Sequence, residues 1–220
     1  MSRLRSSEGF TLVELAIVLV IIGIILGAIL KGQALIDNAR IKRVENDMRG
    51  LEAAAWTFFD RYNRFPGDCD RNGLIDASTY NNRGALDNNP DVLFCTTPTN
   101  NGDKDTPWAE LKATRILSRG ADNRDLARNA FGGMFYIGSA HNGHGAYVNA
   151  IAVADIPCFV AKAIDASIDG ALDSGSGRIR VLTGANVFSD TSDSDNPWAN
   201  YCSDNEDALV DIIYLFERQP

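Results

Sequence analysis

A single carboxylate inside a long apolar run constrains this chain more than any other feature. From Phe10 to Leu30, a stretch of 21 residues, the only charged residue is Glu14. A helix of that length, rising about 1.5 Å per residue, crosses a bilayer core. A carboxylate within it costs roughly 2.5 to 3.5 kcal/mol on insertion scales unless something compensates it, so Glu14 is read as a functional group with a partner. The polar start from Met1 to Gly9 carries Arg3 and Arg5, which the positive-inside rule places on the cytoplasmic side. The remainder of the chain then lies outside the cytoplasm. A secretory signal would follow its apolar stretch with a small-residue cleavage site, and Ala28 and Ala34 make a poor one, so the apolar run is expected to survive processing.

The residues Gly9-Phe10-Thr11-Leu12-Val13-Glu14 and the unbroken apolar stretch behind them resemble the processing site of type IV prepilins and type II secretion pseudopilins. The resemblance implies that a prepilin peptidase cuts after Gly9 and methylates the new N-terminus at Phe10, leaving residues 1–9 as a cleaved leader. It also implies that Glu14 occupies the family's acidic position and pairs with the α-amino group of Phe10 on a neighbouring subunit, setting the axial stagger of a helical filament. Many relatives carry a helix-kinking proline where Lys31 stands in this chain. Gly23, Gly27 and Gly32 are what this sequence offers for local weakening of the helix.

Beyond Leu30 the helix is expected to continue to Tyr62. Ile41, Val44, Met48, Leu51, Ala55, Phe58 and Tyr62 recur at three- and four-residue spacing, with Arg40, Lys42, Arg43, Glu45, Asp47 and Arg49 on other faces. This outer half is amphipathic, and its stripe is where a head domain packs. Phe65-Pro66-Gly67 breaks the helix and opens an Asn-, Asp- and Gly-rich region running to Pro107. The expected divisions are the leader 1–9, the helix 10–64 with 10–30 as its transmembrane part, and an extracytoplasmic head 65–220.

Within the head, Thr106 reads as an N-cap and Pro107 as the first residue of a helix through Ser118. A second short helix is expected over Ile156–Ala166, after Asp155. Phe131–Gly138, Ala146–Ala154, Arg178–Thr183 and Leu209–Glu217 read as strands. Asp169–Gly177 and Ser189–Asn196 read as exposed loops. A long helix followed by an antiparallel sheet with short helices is an α+β fold, pilin-like by the resemblance.

Cys69, Cys95, Cys158 and Cys202 all follow the apolar segment, and none forms a C-x-x-C pair, which argues against a zinc ribbon or a redox motif. A dispersed, even set suits disulfides in an oxidising compartment. Four cysteines allow three pairings, and the shortest loops join Cys69 to Cys95 and Cys158 to Cys202.

Asp68-Cys69-Asp70-Arg71-Asn72-Gly73-Leu74-Ile75-Asp76 matches positions 1, 3, 5, 6 and 9 of an EF-hand-type calcium loop. Asp68, Asp70, Asn72 and Asp76 would give side-chain oxygens and Leu74 its carbonyl, with Gly73 at the sharp turn. Position 12 falls on Thr79, so a carboxylate from Asp87, Asp91, Asp103 or Asp105 would have to complete the set. The alternative is a turn-forming loop with no ion. Asp190, Asp193, Asp195 and Asn196 read as a solvated acidic loop. His141 and His144 fall short of the three or four ligands that zinc requires.

A net charge of -8 without a basic stripe argues against nucleic acid as the main partner. The head has no nucleophile elbow, zincin helix or phosphate-binding loop, so no enzyme is indicated. The leading expectation is a structural subunit of a type IV pilus or pilus-like filament. Its helices would bury one another in a heterologous contact that does not close. By the resemblance, its other partners are prepilin peptidase, inner-membrane assembly machinery and, before assembly, membrane lipid. It would sit as a single-pass inner-membrane protein and then enter an extracellular or periplasmic filament. A type II secretion pseudopilin is one alternative. A membrane-tethered, calcium-dependent adhesin is another, although a mere anchor needs neither a leader nor a buried carboxylate.

Overall fold

The structure is a computed structural model. It describes residues 11–76, 86, 95, 104–141, 147–184, 187–188, 197–202 and 205–216. The chain divides into two compact units, Met1–Arg40 and Ile41–Pro220.

Helix α1 covers Leu12–Tyr62. In its first unit the long side chains Leu12, Val13, Ile17, Leu19, Val20, Ile24 and Leu30 are all exposed. By length and composition this segment could cross a membrane. From Ile41 onward the same helix carries a core face. Ile41, Val44, Met48, Leu51, Ala54, Ala55 and Phe58 are buried, and each large side chain removed from water contributes about 1.5–3 kcal/mol. Tyr62, expected on this stripe, is exposed and instead stacks on Phe58 with ring centroids 4.6 Å apart. Glu45, expected to face solvent, is buried, and the Lys42 ammonium satisfies it at 2.8 Å.

The head contains α2 (Thr106–Ala113), α3 (Asn123–Ala127), β1 (Phe135–His141), β2 (Tyr147–Pro157), α4 (Cys158–Ile168), β3 (Ile179–Gly184), β4 (Val187–Phe188), α5 (Pro197–Cys202) and β5 (Leu209–Leu215). The strand order is β1-β2-β5-β3-β4, and each pair of neighbours in that order is antiparallel. A parallel bridge from His141 to Val187 joins the two ends. The α+β reading therefore holds. Alternation divides the sheet between two clusters. Ile151 and Val153 of β2 and Val210, Ile212 and Tyr214 of β5 join the core formed with α1 and α4. Ala150, Ala152 and Ala154 of β2 and Ile213 of β5 pack with Tyr136, Leu182 and Phe188 on the other side.

Several expected boundaries move, each for a local reason. β1 starts at Phe135 because residues 128–134 form a tight turn, in which the Asn129 side chain accepts from Phe131 and Gly133 and donates to the Ala154 carbonyl. A Cβ on Gly133 would lie 2.0 Å from that carbonyl oxygen, so the turn admits only glycine there. Ile156 belongs to β2, paired with Val210, and not to a helix. Asp155 is a bulge residue at φ 54 and caps nothing. α4 begins instead after Pro157. α2 ends at Ala113, with Arg115 at φ 62 turning the chain away, and its N-cap is Asp105 in place of Thr106. The loop from Asp169 to Gly177, expected to be exposed, buries Ser174. α3 and α5 are too short to carry a periodic signal, and the sequence reading includes neither.

Candidate functional site

Two places in the chain hold the residues that the sequence singles out. The first is the start of α1. Thr11 is the N-cap of the helix and Glu14 its third residue. The Thr11 backbone N–H donates to Glu14 Oε2 at 2.9 Å, the Thr11 hydroxyl donates to the same oxygen at 2.7 Å, and the Glu14 N–H donates back to Thr11 Oγ1 at 3.3 Å. This reciprocal arrangement is a capping box, which satisfies N–H groups that a helix start leaves open. Among the described residues Oε1 of Glu14 takes no hydrogen bond. The sequence reading does not single out Thr11, although Thr-x-x-Glu spacing before an apolar run is the signal of such a box. Gly9 and Phe10 lie outside the described residues.

The second place is the loop between α1 and α2. Carboxylate oxygens of Asp68, Asp70 and Asp76 lie within 4.8 Å of one another. Asp68 is buried and accepts from the backbone N–H groups of Asn72 at 3.1 Å and Gly73 at 3.2 Å. Asp76 accepts from the Cys69 N–H at 2.9 Å. Gly73, at φ 91, makes the turn that brings these groups round. Asn149 of β2, fully buried, fastens the loop to the sheet by accepting from the Ile75 N–H and donating to the Gly73 carbonyl, both at 2.8 Å.

Burial is the first cause that pushes the Asp68 carboxyl above its ordinary value, and the negative charges of Asp70 and Asp76 add to it. Burial and Asp70 push Asp76 the same way. Three crowded carboxylates, oxygen donors only, suit a hard cation such as calcium. Asn72 sits among them, with its amide nitrogen donating to Asp70 at 2.8 Å and its oxygen accepting from the Leu74 N–H at 2.7 Å. Asp105 is not available to complete the set, because it is buried and takes the Asn123 amide at 2.6 Å. Thr79, Asp87, Asp91 and Asp103 lie outside the described residues, as do Asp190, Asp193, Asp195, Asn196 and His144. His141 stacks against Tyr147 at 5.1 Å.

The four cysteines form Cys69–Cys95 and Cys158–Cys202, with S–S distances of 2.06 and 2.10 Å. The first disulfide anchors the acidic loop, since Cys69 lies between Asp68 and Asp70. The second ties the start of α4 to the end of α5.

Comparison with known protein families bears on the N-terminal segment. Residues 4–30 match the model of the prokaryotic N-terminal methylation motif. The motif contains the residues on which the resemblance to prepilins and pseudopilins rests, and the resemblance is borne out there. Within the motif lie Gly9, Phe10, the Thr11–Glu14 capping box and the apolar run up to Leu30. No curated protein matches the chain. Among solved structures, the major type IV pilin PilA1 from Clostridium difficile aligns over 83% of this chain and 98% of its own, at 11% identity and a TM-score of 0.42.

Proposed function

We propose that this chain is a type IV pilin-like structural subunit, made as a precursor, cleaved after Gly9, methylated at Phe10 and polymerised through the first unit of α1 into a pilus or a pilus-like filament. The observation that carries the reading is the methylation motif over residues 4–30, joined to a helix whose apolar side chains are exposed from Leu12 to Leu30. Such a surface is stable only in lipid or against copies of itself. Glu14 supports the same reading. Its Oε2 is occupied within the chain, and Oε1, which takes no hydrogen bond among the described residues, would receive the Phe10 amine of a neighbouring subunit. The prepilin peptidase, the assembly machinery of the inner membrane and the membrane lipid are the partners this implies, with the head outside the cytoplasm. The oxidised cysteines suit that compartment.

The acidic loop supports a second element of the proposal, in which Asp68, Asp70 and Asp76 hold a calcium ion with Asn72 and the Leu74 carbonyl beside them. The ion would neutralise three carboxylates that otherwise repel one another.

The reading is tested by electron microscopy of cells with and without the gene, together with mass spectrometry of the purified chain. Filaments that disappear with the gene, and an N-terminus at methylated Phe10, are the expected results. A chain that retains Met1–Gly9 in the membrane and enters no filament overturns it.

A further inference from the structure

Among the described residues Asp165 is the buried carboxylate that packing leaves half satisfied. It sits on α4 with no exposure to solvent. Its Oδ2 accepts two hydrogen bonds, from the indole Nε1 of Trp198 on α5 at 2.9 Å and from the backbone N–H of Asp173 at 2.8 Å. Its Oδ1, equally buried, has no hydrogen-bond partner among the described residues. Two separate elements, α5 and the loop between α4 and β3, thus hang on one oxygen of one side chain.

The charges around it do not compensate a carboxylate. Asp169 and Asp173, on the adjoining loop, are both negative and act on it unfavourably. Asp169 is itself fixed by the N–H groups of Arg178 and Ile179, and Asp173 by Gly175 and Ser176. Among the described residues the cations on the adjoining elements have other partners, and Arg180 also acts on Asp173. Arg178 pairs with Glu52 of α1, Arg180 lies over the Phe188 ring, and Lys162 on the same helix pairs with Glu206. From α1, Lys42 and Glu45 are paired with each other beside Ser167.

We propose that Asp165 is a proton-operated latch. A proton taken up from solvent on Oδ1 removes the buried charge while Oδ2 keeps both its hydrogen bonds, so α5 and the 169–178 loop are held to α4 more firmly in mild acid than at neutral pH. The Cys158–Cys202 disulfide already fixes the far end of α5 to the start of α4, so the part under proton control is the end that carries Trp198. Burial, reinforced by Asp169 and Asp173, pushes the carboxyl up to about 6. An unfolded aspartate titrates near 3.9. Between those values the folded state holds a proton that the unfolded state does not, so stability rises as pH falls through about 6 and is lost again as pH rises through it.

The test is thermal unfolding of the full mature chain in non-ionic detergent, disulfides intact, from pH 7.5 to 5. The wild-type midpoint is expected to rise by about 5 °C over this range. Asp165→Asn should remove most of that rise and melt at pH 7.5 at or above the wild type. Trp198→Phe removes a bond that favours the ionised form, so it should move the titration upward, which a purely structural loss would not do. Carboxyl-carbon NMR of wild-type Asp165 decides independently should Asp165→Asn fail to fold. Titration near 6 supports the latch. Titration in the ordinary aspartate range, or an Asp165→Asn melt that keeps the wild-type dependence on pH, overturns it.

Discussion

Arg64 and Glu110 form a buried bidentate ion pair, with Arg64 Nη2 2.6 Å from Glu110 Oε1 and Nη1 2.8 Å from Oε2. Arg64 follows the end of α1 and Glu110 lies on α2, so the pair closes the break at Phe65-Pro66-Gly67. The same carboxylate also accepts from the backbone N–H groups of Gly67 at 2.8 Å and Cys95 at 3.2 Å. A fully buried charge is tolerated because every acceptor direction is used.

Glu110→Ala should therefore cost about 3–5 kcal/mol, since it strands a buried guanidinium and frees two N–H groups at once. Chemical denaturation of the full chain checks this. A loss below about 1 kcal/mol, the range of an exposed pair, would show that the pair is not desolvated in solution.

The cysteine pairing is checked by a non-reducing peptide map of the mature protein, which should give Cys69–Cys95 and Cys158–Cys202. The loops span 26 and 44 residues, so removing either bridge should cost about 3–4 kcal/mol, somewhat more for the longer. Four free thiols would contradict the oxidising compartment. A crossed map would contradict only the connectivity.

Calcium at the acidic loop should raise the melting midpoint at millimolar concentration, with a dissociation constant on the order of 0.1–1 mM. Asp70→Ala should abolish that shift. Because Asp70 is exposed and the loop is fastened by Asn149 from β2, the substitution should leave the melting curve in chelator nearly unchanged. An identical response of wild type and variant to added calcium would make the loop a turn and nothing more.

Glu14 should separate maturation from assembly. Glu14→Ala is expected to be cleaved after Gly9 and to reside in the membrane, yet to stay out of filaments, because the partner amine is left as an uncompensated buried cation at a cost of about 3–5 kcal/mol. Thr11→Val takes away the hydroxyl of the capping box and should cost only about 1 kcal/mol, weakening assembly without stopping it. Co-expression with wild type gives the sharper measurement. Entry of Glu14→Ala subunits into filaments at the wild-type proportion would remove the registry role of this carboxylate.

Much of this fold was legible because its strongest signals are local. The uninterrupted apolar run, the three- and four-residue stripe from Ile41 to Phe58, and the alternation in β5 each follow from the period of one element, and a period is written in sequence. The acidic-loop pattern and the glycine at its turn are equally readable, as is the Thr11–Glu14 spacing of a capping box. The registers were not. Ile156 looked like the start of a helix, and became a strand residue because Val210, more than fifty positions away, pairs with it across a bulge at Asp155. The burial of Asp165 and Asn149 had no sequence signal, since a lone polar residue acquires meaning only when distant chain closes over it. Sequence alone determined the apolar run, the helix face and the acidic residues of the loop between α1 and α2, because each rests on neighbours along the chain. Only the tertiary structure decided that Glu110 would gather Arg64, Gly67 and Cys95, and that Asp165 would meet Trp198. Those contacts depend on packing between elements whose separation along the chain carries no periodic trace.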